Sequence, residues 1–214
     1  SKIEILEETP VLYSILYLAI PSMLSMLVNI LYNVTDTFFI GKLNDPYKVA
    51  GISVALPYYN MLMAIAGIFA NGGASYLSRL LGKRDIQTAR ETTTTAVFSV
   101  GIVSIIAAAL GLLFIPTYLK LTSATGLTAH YAQQYLTAIF IGSPIIMMKF
   151  TLIQFLRAEG AAKDAMIGLF IGTGANIVLD PLFIFYFKMD VVGAGIATVI
   201  GQGLGMLYFC SYYL

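Results

Sequence analysis

Charged side chains in this chain fall in clusters, and the clusters are separated by apolar runs of about twenty residues or more, the length that crosses a bilayer. Only 11% of the 214 residues are charged, where a soluble domain carries about 25%. A soluble core cannot absorb that difference. The expected fold is an all-α membrane protein, a single lobe of six transmembrane helices at about 11–40, 47–78, 89–115, 131–156, 165–187 and 191–213. Pro21, Pro57 and Pro144 fall inside spans as candidate bends, and Pro116 is expected to end the third. No basic run suggests nucleic acid. A single cysteine, Cys210, leaves no internal disulfide to form.

Basic residues in short loops set orientation. The N-terminus and the even-numbered loops carry Lys2, Arg79, Lys83, Arg84, Arg90, Arg157 and Lys163, while the odd loops carry Lys42, Lys48, Lys120 and Lys188. The chain is expected in the cell (cytoplasmic) membrane, and the bias puts both termini inside.

Between Ala165 and Phe187 the one residue expected to be charged is Asp180. A carboxylate at membrane depth is costly and marks function by default. Asn176, four residues earlier, shares its helix face, and Pro181 cannot donate to the carbonyl of Ile177. A plainer reading makes Asp180 a glue residue bonded to a neighbouring helix. At 1.5 Å per residue, Asp36 lies about 9 Å below its outer loop, and Asp180 and Thr198 about 12 Å below theirs. All three reach one level. Asn29, Tyr32, Asn33 and Asp36 form a second polar face, on the first span, expected to be buried within the six helices. Asp, Asn and Thr oxygens suit a hard cation such as Na+, or a proton. Two close carboxylates require a bound cation or a shared proton. No Cys/His cluster exists to hold zinc.

Lys149, in the fourth span, is expected to snorkel towards the cytoplasmic interface, with a role in a transport pathway as the alternative, and His130 is expected to sit at the outer interface. An internal repeat aligns 34–52 with 178–196 at an offset of 144, matching Asp36 with Asp180 and Ala50-Gly51-Ile52 with Ala194-Gly195-Ile196. Gly168, Gly172, Gly201 and Gly205 have the spacing of close helix contact. Asn71-Gly72-Gly73-Ala74 is read as a packing face of small residues.

Together, the stretch from Ile20-Pro21 to Asp36-Thr-Phe-Phe-Ile-Gly41, then Arg79-Leu-Leu-Gly82, Arg157-Ala-Glu-Gly160 and Asn176-Ile-Val-Leu-Asp180-Pro181, resembles the multidrug and toxic compound extrusion (MATE) family, in its bacterial DinF and MepA-like type. The resemblance implies an antiporter, not an enzyme, that expels cationic lipophilic compounds using a sodium or proton gradient. It needs no cofactor beyond the coupling ion. It implies an ion site of Asp36, Asn176, Asp180, Thr198 and the carbonyl of Ala194, with Pro21 as the bend of the first helix. Asn29, Tyr32, Asn33 and Tyr135 would line the cavity. That family has two six-helix lobes and this chain supplies one, so a second lobe is the expected partner besides the bilayer. The alternatives are a lipid or lipid-linked precursor flippase, an intramembrane aspartyl protease, for which no Gly-x-Gly-Asp sequence is present, and a half-length assembly module.

Overall fold

The computed structural model describes residues 11–213; within its first helix the side chains of residues 11, 13, 14, 18, 33 and 36 lie outside the description. Six long helices follow one another: α1 (Val11–Gly41), α2 (Pro46–Gly82), α3 (Ile86–Leu121), α4 (Gly126–Ala158), α5 (Ala162–Pro181) and α6 (Asp190–Tyr213). A π-helical turn, Leu182–Tyr186, sits between the last two. Each helix is long and apolar enough to cross a bilayer. At about 1.5 Å per residue the longest, α2, exceeds a hydrocarbon core of about 30 Å, so it tilts or projects.

Short turns join the helices, and each contains a residue in the left-handed region, Asn44, Arg84, Ser123, Gly160 and Lys188, with Gly126 and Asp190 adding a second at the starts of α4 and α6. The amides of Asp85, Ala124 and Ala161 reach back five residues to the carbonyls of Leu80, Leu119 and Leu156. This is the Schellman closure of a helix C-terminus. Asp45 and Asp85 cap the next helices by accepting from the amides of Tyr47 and Thr88. Pro116 does not end the third span as the sequence suggested. Its fixed φ suits a helix and removes only the bond to the carbonyl four residues back, and α3 continues to Leu121. The left-handed turn at Ser123 is what stops it.

The centre of the bundle is α4. Its apolar window is 61% buried, against 18–44% for the other spans. Leu136, Ile139, Phe140, Ile146, Met147, Phe155 and Leu156 of α4 are all buried. Helices α2 and α3 pack on one side of α4 and α6 on another; α5 packs on α6, and α1 lies along α5. Buried hydroxyls bond back within their own helices, as Ser143 does to the Phe140 carbonyl at 2.8 Å and Thr151 to that of Met147 at 3.0 Å. With no water in a bilayer core, such groups must be satisfied internally. Gly73 serves as packing surface, since a Cβ there would lie 2.6 Å from the Phe155 ring.

The two hairpins related by sequence flank α4. A Cβ on Gly51 would fall 2.8 Å from Tyr131 Cβ, and one on the matching Gly195 would fall 2.8 Å from Ala138 Cβ. At the end of the bundle an ion pair between Lys48 and Asp190, 2.8 Å, joins the start of α2 to the start of α6. By contrast α1 touches α2 and α6 only marginally, and the bundle is open between α1 and α2.

Helices α5 and α6 cross at their glycines, as their spacing predicted. A Cβ on Gly172 would lie 2.8 Å from the Gly201 carbonyl oxygen, and one on Gly205 would lie 3.0 Å from that of Gly168. Gly172→Ala should therefore force backbones apart at a cost of about 1–3 kcal/mol and lower the thermal unfolding midpoint in detergent. Gly174→Ala, where nothing lies within 4 Å of the new Cβ, should leave it unchanged.

Candidate cation site

The glycine crossing brings polar groups together at membrane depth. Asn176 stands one turn beyond Gly172 and its Cβ would be 2.9 Å from a Cβ on Gly201, so only a glycine there lets Asn176 lie against α6. Asn176 is 3% exposed, Asp180 0% and Thr198 3%. The Asn176 amide Nδ2 donates to Asp180 Oδ1 at 3.3 Å. Its other end, Oδ1, is buried without a hydrogen-bond partner. From α1, the Tyr32 hydroxyl lies 3.4 Å from Thr198 Oγ1. Three helices thus contribute oxygens to one locus.

A small cavity of about 20 Å³ adjoins these groups, lined by Asn29, Tyr32, Lys149, Thr173, Asn176, Thr198 and Gln202 with Gly172. That is room for about one water or one small ion. Ala194 is buried on α6, one turn before Thr198. Tyr135 is buried on α4 with its ring beside Gly195, next to the site and not among the residues lining the cavity. Asp36 and Asn33 fall outside the residues whose side chains are described.

Two expectations need correction. The polar face of α1 is not wholly enclosed: Asn29 is exposed while it lines the cavity, because α1 is packed closely against α5 alone. Lys149 does not snorkel to the interface. It is 8% exposed and lines the cavity, its stem seated where Gly205 has no side chain; a Cβ there would lie 3.3 Å from Lys149 Cε. The sequence held both halves of that contact, a lysine and a distant glycine, without showing that they meet.

Sequence reasoning also missed how α5 ends. Regular α-helical bonding stops at Pro181 and widens into the π-helical turn, with Phe187 N–H bonded five residues back to Leu182 O, and Met189 N–H then closes the end six residues back on Phe183 O, both 2.9 Å. The signal was Pro181, which withholds a donor directly after Asp180. Such widened turns recur at functional sites. In α1 the helix runs on through Pro21, whose carbonyl accepts from the Ser25 hydroxyl at 2.8 Å.

The MatE family pattern matches residues 21–182. The chain belongs to the MatE family. It is 33% identical over 207 residues to the multidrug export protein MepA of Staphylococcus haemolyticus, covering 97% of this chain and 46% of that protein. To MepA of Staphylococcus aureus strain MRSA252 it is 32% identical over 208 residues, with the same coverage. Among solved structures it is similar to a multidrug resistance MATE family transporter of the MOP superfamily in an outward-facing conformation. The TM-score is 0.89 with 28% identity, over 100% of this chain and 47% of that one. It is also similar to a MOP superfamily transporter from Pyrococcus furiosus, described as having a binding pocket of reverse polarity. There the TM-score is 0.90 with 29% identity, over 94% of this chain and 44% of that one. This MatE chain spans about half the length of the curated relatives it matches, and it forms one six-helix lobe of a membrane transporter fold.

The Pro181 effect is testable apart from transport. Pro181→Ala supplies the missing donor and should let regular bonding continue past Asp180. Backbone amides of 182–187 should then exchange hydrogen more slowly, about tenfold for each 1.4 kcal/mol of added local stability. Unchanged exchange there would assign the π turn to the following loop.

Proposed function

We propose that this MatE lobe carries the coupling-ion site of an efflux antiporter for cationic, lipophilic compounds. The carrying observation is the hydrogen-bonded Asn176–Asp180 pair, buried in a membrane helix, whose Asn176 lines a cavity of ion size together with Thr198 of α6. In this reading Asp36, Asn176, Asp180, Thr198 and the Ala194 carbonyl hold Na+ or, when a carboxyl is protonated, H+. All are hard oxygen donors suited to such a cation. Pro21 is the bend point of α1, and the open side between α1 and α2 is where substrate enters. The names of the MepA relatives, multidrug export proteins, support the substrate class. The lobe lies in the cytoplasmic membrane with both termini inside, as the loop charges favour.

Binding an ion and moving a drug make different demands. The ion needs only groups within the lobe. Alternating access needs an opposing wall, because transporters of this kind rock one repeat against another around a midplane site. That wall is a second six-helix lobe, from the rest of a longer chain or from a second copy. A flippase for lipid-linked precursors is favoured by one observation, the presence of Lys149 on the cavity. The buried Asp180 carboxylate, one turn beyond the cavity-lining Asn176, opposes the strongly cationic cavity such a substrate needs.

Two measurements follow. Sodium should raise the thermal midpoint of the purified lobe by mass action, more than potassium at equal ionic strength, and Asp180→Asn should remove the difference. A sodium response that survives this substitution would displace the site from Asp180. Expressed as 1–214 alone, the lobe should bind the ion yet export no drug as a monomer. Crosslinking in membranes alongside an efflux assay checks this, and robust efflux with only monomer present would refute the need for a second lobe.

A further inference from the structure

Lys149 is the charged residue among those lining the cavity, and the cation site proposed above gives it no role. It sits on α4, the most buried helix, and its stem fills the notch at Gly205 of α6. Gly205 also lies beside the Cα of Gly172, so the stem passes the glycine crossing before the ammonium reaches the cavity. No carboxylate among the described residues pairs with it. The neighbours that share the cavity are neutral: Asn29 and Tyr32 from α1, Thr173 and Asn176 from α5, Thr198 and Gln202 from α6.

A positive charge at this depth is costly unless something negative answers it. Two carboxylates on α5 lie equally far along the helix from Gly172, Asp164 eight residues before it and Asp180 eight beyond, each about 12 Å; Asp180 is the fully buried one. Asn176 stands between Gly172 and Asp180. Its Nδ2 is given to Asp180, while its Oδ1, buried and without a hydrogen-bond partner, remains as an acceptor beside the cavity that Lys149 lines. Asn176 thus bonds the carboxylate at one end and presents an open acceptor to the lysine's cavity at the other, inside a low-dielectric interior where unit charges about 10 Å apart still change an equilibrium about tenfold.

We propose that Lys149 is a tethered cation that opposes the free coupling cation at the Asp180 site, so that the lobe answers its buried carboxylate with its own ammonium when no ion is bound and must overcome that charge to load one. The inference rests on the cation site proposed above and adds an internal competitor to it. It assigns the Gly205 notch a purpose, which is to hold the lysine stem below the site. It also makes Asn176 the positioning residue between the two charges.

The experiment is a sodium titration of the purified lobe at constant pH and ionic strength, read as the sodium concentration giving half-maximal thermal stabilisation. Four proteins are compared: wild type, Lys149→Met, Lys149→Arg and Asp180→Asn. Lys149→Met keeps a long unbranched stem in the Gly205 notch and removes the charge, so half-stabilisation should move to about tenfold less sodium. Lys149→Arg keeps the charge and should stay near wild type. A wild type without response beside a responsive Lys149→Met also supports the proposal, since the lysine then holds the site closed to sodium. An unchanged midpoint in Lys149→Met, with the response still lost in Asp180→Asn, overturns the lysine's role and leaves the cation site standing. An equal gain in Lys149→Arg assigns the effect to packing and overturns it too. If no protein responds, or Asp180→Asn responds as wild type does, the cation site itself fails and the proposal fails with it.

Discussion

The backbone contact between α5 and α6 is what the rest of this lobe depends on. Gly172 and Gly201 bring a backbone carbonyl to within 2.8 Å of where a Cβ would stand. In lipid, where no hydrophobic force drives helices together, such close packing is what holds them. At that distance Asn176 has nowhere to lie except against α6, which turns its amide towards Asp180 on one side and the cavity on the other. Thr198 then stands opposite, and the Tyr32 hydroxyl of α1 reaches it. Were the two helices separated by a side chain, the polar groups would still exist but would not converge. The site is thus a product of residues that carry no chemistry of their own.

The periphery follows a different logic. The turns between helices are short, and each uses a left-handed residue to return carbonyls that the helix end would leave open. Their closeness fixes antiparallel neighbours without much help from the loops themselves. Lys48 and Asp190 clamp the two related hairpins over α4. The pair is half-buried and joins the helices at one end only, which leaves the packing of α2 and α6 on α4 to hold the bundle.

The spans, the family and the glycine crossing were legible in the sequence because each rests on composition or fixed spacing. Asn176 and Asp180 were legible as a pair for the same reason, lying four apart on one helix. Lys149 was misread because its environment is made by another helix: only the packing of α6 on α4 sets Gly205 against it. Asn29 was misread because its burial depends on which helices α1 touches, which no single segment encodes. Pro116 was misread because proline constrains a helix less at membrane depth than its reputation in soluble proteins suggests; α3 simply runs through it. The π turn after Pro181 lay in between. The proline announced a disturbance, but its form depended on the bonds that Phe187 and Met189 found.

Helix α1 is attached along one seam. It lies on α5 and barely meets α2 or α6, while α2, α3, α4 and α6 interlock. Mechanically this divides the lobe into a stiff frame and a single lever. Any torque applied to α1 from outside is delivered to the same helix that carries Asn176 and Asp180. The softest deformation of the lobe is therefore also the one that most directly strains its polar centre, and the two need no intervening linkage to speak to each other.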